Sequence, residues 1–153
     1  MLALGSNLGD RLARLRAATR LLGAVVVSSV YETAPVGGPD QDDYLNAVVL
    51  VPAASPRDLL AAARSAEDAA SRVRSVRWGP RTLDVDVIAC GDLASDDPDI
   101  LIPHPRAHMR AFVCVPWLDV DPDAVLPGHG RVEDLLAGLD VSGVRRTPWS
   151  LCG

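Results

Sequence analysis

The order of the strands and helices predicted over the first 90 residues is the feature that most restricts the fold. Helices are predicted over residues 9–22, where leucines recur at helical spacing, and from Ser55, where a capping serine precedes a proline. β-Branched and apolar runs predict strands over residues 2–5, 25–31, 44–51 and 82–90. The resulting β-α-β-β-α-β order is typical of an α+β fold with a ferredoxin-like, split β-α-β core, in which an antiparallel sheet carries helices on one face.

The rest of the chain is predicted to add short elements to this core. We expect a helical turn within residues 101–112, an extra C-terminal strand over 112–116 and a short helix over 132–139. Residues 140–153 are expected to form a surface tail. Because the sequence contains no internal repeat and no linker, residues 1–153 are predicted to form a single domain.

Composition argues against nucleic-acid and membrane partners. The chain carries 15 basic and 20 acidic residues, for a net charge of −5, which disfavours binding to a polyanion. No apolar run approaches the roughly 18 residues of a membrane span, and no secretory signal is recognisable. Cys90, Cys114 and Cys152 lack the spacing of zinc ligands, and the first two lie in apolar, strand-like runs. We therefore expect a cytoplasmic protein with reduced thiols, acting as a monomer.

The segment RWGPRTLDVD, residues 77–86, puts two carboxylates into a predicted strand. Residues i and i+2 of a strand point to the same side, so Asp84 and Asp86 project together, roughly 6–7 Å apart. Two carboxylates on one face repel each other unless a cation lies between them. Magnesium is held by one or two carboxylates and completes its shell with water and phosphate oxygens, and two such ions can share an acid pair.

Four arginines precede the acid pair within ten residues that contain no acid: Arg72, Arg74, Arg77 and Arg81. Guanidinium groups match phosphate oxygens, so the segment predicts a small phosphorylated ligand beside the metal. In the alternative interpretation, the two aspartates line an exposed strand face and form surface salt bridges with Arg77 and Arg81. The clustered arginines and the Trp-Gly-Pro turn favour the metal site.

A second group of residues suits a planar ligand. Tyr44 and Asn46 share one strand face after a long polar loop, residues 33–43, and Phe112 opens the strand predicted over 112–116. Two aromatic rings can sandwich a flat ring, and an asparagine amide offers both a donor and an acceptor to the edge of a heterocycle. For the aromatic residues alone, membership of the core is the better explanation, with Asn46 as a loop cap.

The segment PHPRAHMR, residues 103–110, brings two histidines together with Arg106 and Arg110. His104 follows a proline that stiffens its backbone, and it is suited to hydrogen-bond a phosphate oxygen. Metal ligation by this histidine is disfavoured because magnesium prefers oxygen ligands.

Four segments occur in one order between residues 2 and 118: LALGSNLGDR, YETAPVGGPDQDDYLNAV, RWGPRTLDVD and PHPRAHMRAFV. Together they resemble the 6-hydroxymethyl-7,8-dihydropterin pyrophosphokinase family of folate biosynthesis. The resemblance implies transfer of pyrophosphate from ATP to the hydroxymethyl group of the pterin, with release of AMP and use of two magnesium ions. No side chain stands out as a strong base, so positioning and electrostatics are expected to dominate catalysis.

The resemblance also implies a role for each matching residue. The two metal ions would be held by Asp84 and Asp86. The pterin site would comprise Thr33, Ala34, Val36, Tyr44, Asn46 and Phe112. The ATP site would comprise Arg74, Trp78, Arg81, His104 and Arg110, and the catalytic set would comprise Arg72, Arg74, Arg81, Asp84 and Asp86.

Two other classes of function stay open. One is a non-catalytic ferredoxin-like module that binds a ligand in the same pocket. The other is a metal-dependent nucleotidyltransferase, which would attack the α-phosphorus of ATP and release pyrophosphate. Incubation with magnesium-ATP and the reduced pterin separates the three, since they yield AMP, no product, and pyrophosphate respectively.

Overall fold

A computed structural model of the protein describes residues 1–34, 42–71 and 82–152, and it is a mixed α+β structure. The strands, in chain order, are β1 (Leu2–Ser6), β2 (Val26–Val27), β3 (Tyr31–Thr33), β4 (Tyr44–Leu50), β5 (Asp84–Val87), β6 (Ser95–Asp97), β7 (Ile100–Ile102), β8 (Val125–Leu126), β9 (Gly130–Arg131) and β10 (Val144–Arg146). The helices are α1 (Arg11–Leu21), α2 (Pro56–Ser71), α3 (Ala111–Val120) and α4 (Val132–Ala137), and a 3-10 turn spans Ala107–Met109.

The main sheet is antiparallel and has the strand order β10-β3-β4-β1-β5, with β2 also pairing with β4. Strand β1 therefore lies between β4 and β5. Its register puts Gly5 opposite Asn46 on one side and opposite Asp84 on the other. Since directly opposed residues of a sheet share a face, these three residues project to the same side of the sheet.

Helices α1 and α2 cover one face of the sheet, as the element order predicted. Leu15 of α1 and Ala63 of α2 are buried against Leu4, Leu45 and other strand residues. Both helices begin at side-chain caps. The Asp10 carboxylate accepts a hydrogen bond from the Ala13 amide (3.1 Å), and the Ser55 hydroxyl accepts one from the Asp58 amide (3.1 Å).

The opposite face is covered over part of its area by α3 and α4, so the helices are not confined to one side as the sequence predicted. Val113 and Trp117 of α3 are buried with Val48 of β4 and Val132 of α4. The uncovered part of this face is open. None of the helices in the described part of the chain has the length and apolar character needed to cross a membrane.

The strand predicted over residues 112–116 is wrong, because this run lies inside helix α3. Its β-branched valines favour a strand locally, and an apolar run of this length does not reveal its period. The burial of both Val113 and Trp117, four residues apart, is the helical pattern that the whole element shows. Cys114 is accordingly a buried helix residue, not a strand residue.

The strand predicted over residues 25–31 is interrupted in its middle. β2 and β3 both pair with β4, but Ser28 lies in the gap between them. The Ser28 hydroxyl accepts a hydrogen bond from the Val48 amide (2.9 Å), so a side chain takes the place of a backbone carbonyl there. Strand propensity alone does not reveal such a substitution.

Residues 140–153 were expected to form a surface tail, but part of this segment is the edge strand β10. Val144 pairs with Thr33, and the Thr147 amide donates to the Val30 carbonyl (2.9 Å). Leu151 is buried in the core beneath α1 and α2. These contacts fix the C-terminal segment against strand β3.

Candidate active site

A cavity of about 710 Å³ opens on the face of the sheet that α3 covers only in part. Its floor is formed by neighbouring strands, and it has two chemically different ends. We call the end with Thr33, Tyr44 and Asn46 the amide end, and the end with Asp84 and Asp86 the acid end. The cavity size suits a small-molecule substrate site.

The register of the sheet explains why these residues meet. Thr33 lies opposite Tyr44, and Asn46 is two residues further along the same strand. Gly5 joins Asn46 to Asp84 across the central strand. The alternation of a strand sends the intervening residues to the other face, where Leu45 and Val85 are buried in the core.

The amide end is built around a buried hydrogen bond. The Asn46 side-chain amide donates to the Thr33 hydroxyl oxygen at 2.6 Å, and Asn46 is only 6% exposed. This bond leaves the Asn46 carbonyl oxygen as an acceptor toward the cavity. Tyr44 and Phe112 also line the cavity. The amide end therefore offers aromatic surface and an oriented polar group.

The structure brings five of the six residues predicted for the pterin into one cavity: Thr33, Ala34, Tyr44, Asn46 and Phe112. Phe112 comes from helix α3 and not from the predicted strand. The Arg110 guanidinium carbon lies 5.5 Å from the centre of the Phe112 ring, a cation–π distance.

The acid end combines carboxylates with a nearby cation. Asp84 and Asp86 both line the cavity, as the alternation of β5 predicted. An Arg110 Nη1 atom lies 3.9 Å from the Asp86 Oδ2 atom, and both side chains are partly exposed. An ion pair this long and this exposed is weak. Asp86 therefore remains able to exchange Arg110 for another cation.

Helix α2 supports the strand that carries the two acids. The Glu67 Oε2 atom accepts a hydrogen bond from the Val85 amide at 3.1 Å, and Val85 lies between Asp84 and Asp86. A carboxylate is a strong acceptor for a backbone N–H, so this bond fixes β5 relative to α2.

His104 lies beside the acid end with its backbone and its ring both engaged. Its amide donates to the Ile88 carbonyl (2.9 Å), and its Nδ1 atom accepts from the Arg106 amide (3.1 Å). Burial lowers the pKa of His104 below its usual value, Asp86 opposes this effect, and Arg110 and Arg106 add to it. Because Nδ1 accepts the bond from the Arg106 amide, the Nε2 atom carries the ring proton.

Five predicted site residues lie outside the described residues: Val36, Arg72, Arg74, Trp78 and Arg81. Their roles stay predictions, as does that of Arg77.

Sequence reasoning missed several residues that line the cavity. Gly5 and Ala3 of β1 form part of its floor, and the signal was present in the segment LALGS, where small residues alternate with leucines. The C-terminal segment contributes Leu139, Asp140, Gly143 and Val144. No signal pointed to these residues, because a three-residue edge strand has no recognisable period.

Comparison with known proteins identifies the same family that the four sequence segments resemble. The sequence profile of the 7,8-dihydro-6-hydroxymethylpterin-pyrophosphokinase (HPPK) family matches residues 1–122, which include both ends of the cavity. The 2-amino-4-hydroxy-6-hydroxymethyldihydropteridine pyrophosphokinase of Mycobacterium tuberculosis (strain ATCC 25618 / H37Rv) is 46% identical, over 92% of this chain and 83% of its own.

Proteins of the same name from other bacteria are similarly close. The one from Mycobacterium leprae is 46% identical over 99% of this chain and 90% of its own length. The one from Methylorubrum extorquens is 42% identical over 95% of this chain and 96% of its own. Since the profile and these relatives cover most of the sequence, the chain belongs to the HPPK family.

Proposed function

We propose that this protein transfers pyrophosphate from ATP to the hydroxymethyl group of 6-hydroxymethyl-7,8-dihydropterin, releasing AMP, in folate biosynthesis. Family membership supports this activity, and the observation that carries it is the cavity with an amide end and an acid end on one sheet face. The reaction joins a flat heterocycle to a highly charged phosphate chain, and the two ends have the matching chemistries.

The pterin binds at the amide end. Its ring lies between the side chains of Tyr44 and Phe112, and Asn46 hydrogen-bonds its polar edge. The bond from Asn46 to Thr33 supports this assignment, because it orients the amide before the substrate arrives. Ala34 and Val36 complete the pocket.

The phosphates of ATP bind at the acid end, where Asp84 and Asp86 would hold two magnesium ions. The donor set fits this metal: two carboxylates share one face, and residues 1–34, 42–71 and 82–152 contain no cluster of three or more His, Cys, Asp or Glu side chains that would form a complete protein cage. Magnesium takes its remaining ligands from water and phosphate. When bound, the metal neutralises charge on the phosphate chain.

The chain's own polar groups complete the nucleotide site. Arg110, whose Nη1 atom lies 3.9 Å from Asp86 Oδ2, would pair with a phosphate oxygen of ATP bound at this end. His104 donates from Nε2 to a phosphate oxygen, since the Arg106 amide occupies its Nδ1 atom. From the family resemblance we also assign Arg72, Arg74, Arg81 and Trp78 to the ATP site, where the arginines add positive charge.

In the reaction, the pterin hydroxyl oxygen attacks the β-phosphorus of ATP. A new oxygen–phosphorus bond forms as the bond from the β-phosphorus to the bridging oxygen of AMP breaks, and the hydroxyl proton is released to solvent. The arginines stabilise the charge that moves onto the leaving AMP oxygen. Orientation of the two substrates in adjoining halves of one cavity supplies much of the acceleration.

We further propose that the core is ferredoxin-like, that the whole chain is one pyrophosphokinase domain, and that the protein is a cytoplasmic monomer without nucleic-acid or membrane partners. The order β3-β4-β1-β5 with α1 and α2 on one face supports the fold assignment. The net charge of −5 supports the absence of a polyanionic partner.

The test is product analysis with the purified protein, magnesium-ATP and 6-hydroxymethyl-7,8-dihydropterin. We expect AMP and the pterin pyrophosphate in equal amounts, and no AMP when a chelator removes the metal. The matched control is 6-methyl-7,8-dihydropterin, which has the same ring but no hydroxyl to attack. AMP formed equally with this control contradicts the proposal, and pyrophosphate as the released product indicates a nucleotidyltransferase instead.

A further inference from the structure

Gly5 belongs to the cavity floor, and the roles given above do not include it. It lies opposite Asn46 on one side and Asp84 on the other, and its Cα is about 4.5–5.5 Å from each partner's in an antiparallel ladder. Gly5 thus occupies the boundary between the amide end and the acid end. If the pterin and the phosphates bind as proposed, the reacting hydroxymethyl group crosses this boundary.

A side chain at this position meets the site directly. A Cβ atom built on Gly5 lies 3.1 Å from the Asn46 Oδ1 atom and 3.6 Å from the Tyr44 Cδ1 atom. The first distance is shorter than an ordinary van der Waals contact. Asn46 cannot easily move away, because its amide is already bonded to Thr33 at 2.6 Å.

The backbone gives no reason for a glycine here. Gly5 is not among the glycines with positive φ, and it lies within strand β1, where a glycine weakens a strand by roughly 0.5–1 kcal/mol relative to alanine. Glycine inside a strand often marks a point where a ligand or another backbone approaches closely. The absence of a side chain at Gly5 therefore leaves space above its Cα atom for a ligand.

We propose that Gly5 is a positioning residue for the transfer step: its bare Cα lets the pterin lie low enough on the sheet for its hydroxymethyl group to reach the β-phosphorus. The inference rests on the proposed function. A methyl group at residue 5 lifts the pterin and presses on Asn46, while the nucleotide site beyond Asp84 is unchanged.

The test compares Gly5→Ala with the wild-type protein and with Gly138→Ala. The second variant adds a methyl group at the end of α4, where it would lie 3.8 Å from the Leu135 carbonyl oxygen, an ordinary contact distance. We expect Gly5→Ala to fold, with any change in melting temperature limited to a few degrees, because the gain in strand propensity opposes the close contact with Asn46. Its kcat should fall by at least about tenfold, since a misplacement near 1 Å can slow a reaction about 100-fold. KM for ATP should stay within about twofold, as the phosphate contacts remain.

Several outcomes overturn the inference. One is a Gly5→Ala variant with wild-type kcat. Another is an equal fall in kcat in Gly138→Ala. A third is a Gly5→Ala variant whose main change is a raised KM for ATP. If Gly5→Ala does not fold, Asn46→Ser is compared with the double variant Gly5→Ala/Asn46→Ser, in which the contact is relieved. Equal kcat in these two proteins also overturns it.

The proposed function is tested separately by the wild-type protein. A wild type that makes no AMP removes the proposed function and this inference with it. A wild type that is active, beside an equally active Gly5→Ala variant, removes the inference alone.

Discussion

The two faces of the sheet are built from the same strands, but one face packs into the core and the other lines the cavity. On the α1/α2 side, Leu4, Leu45 and Val85 pack into an apolar core. On the other side, their immediate neighbours Gly5, Asn46 and Asp84 line a cavity. A shift of one residue in any strand register would exchange the two sets.

This contrast separates stability from function within single strands. The packed face holds the register, and the register in turn aligns the polar residues of the open face. We therefore expect substitutions on the packed face to change the free energy of unfolding, and substitutions on the open face to change activity. Neighbouring residues of one strand provide the most direct tests of this division.

The largest effect is expected at the acid end. Asp84→Asn and Asp86→Asn keep the size of each side chain but remove its charge, so turnover should fall by at least about 100-fold as charge stabilisation is lost. Product formation under saturating substrates measures this effect. Asp97→Asn, at a partly exposed acid outside the cavity that pairs with Arg57, is the matched control. Near-wild-type turnover in either cavity variant would refute the metal assignment.

On the packed face, Leu45→Ala should destabilise the protein by about 2–5 kcal/mol, because Leu45 is only 1% exposed and its removal leaves a cavity. Urea unfolding measures the loss. At a temperature where the variant is folded, KM for the pterin should stay near the wild-type value. A large change in that KM without loss of stability would break the proposed division between the faces.

The next residue, Asn46, should behave in the opposite way. Asn46→Ala removes a polar contact to the pterin, and the loss of roughly 1–3 kcal/mol lowers kcat/KM for the pterin about 5- to 150-fold. KM for ATP should not change. Steady-state kinetics with each substrate varied in turn measures both values, and equal losses for the two substrates would argue against pterin recognition by this residue.

The smallest effect is expected at Tyr31, which lies on the part of the open face that helix α3 covers. Tyr31, opposite Asn46 in the register, donates a hydrogen bond from its hydroxyl to the Asp119 carboxylate of α3 at 2.7 Å. Tyr31→Phe should lower the free energy of unfolding by about 1.5 kcal/mol. Activity should be retained, since this residue is under the helix and not in the cavity lining.

The same pair sets an expected pH dependence. Burial, followed by the hydrogen bond to Asp119, raises the pKa of Tyr31 from 10.0 to about 12. Folding therefore favours the protonated phenol, and its contribution is complete below pH 10 and is lost as the pH rises through 12. The stability difference between wild type and Tyr31→Phe should shrink over that window, and a constant difference would contradict the assignment.

Much of the fold was predictable because its strongest signals are local. The caps at Asp10 and Ser55 and the alternation of strand β5 are written in a few adjacent residues, so α1, α2 and the acid pair were found at their positions. Helix α3 was missed because its packing partner, Val48, is distant in sequence, and only that contact decides between helix and strand for a short apolar run.

The site residues that carry a functional group were predictable from the sequence. Those without one were not. Asp84, Asp86, Tyr44 and Asn46 drew attention by residue type, and all four line the cavity. Gly5 carries no functional group, so only the distance to Asn46 reveals what its position does. Val144 reaches the cavity through a strand pairing with Thr33 that links residues more than a hundred positions apart.

The hydrogen bond from the Val85 amide to Glu67 has a consequence for the protein in concentrated solution. Among the strands of residues 1–34, 42–71 and 82–152, β5 is at one end of the sheet order, and unpaired amides on an outermost strand can pair with a strand of a second molecule. Because Glu67 accepts the hydrogen bond from the Val85 amide, this amide is not available for such pairing. The strand that carries Asp84 and Asp86 thus has one fewer backbone amide available to pair with another polypeptide.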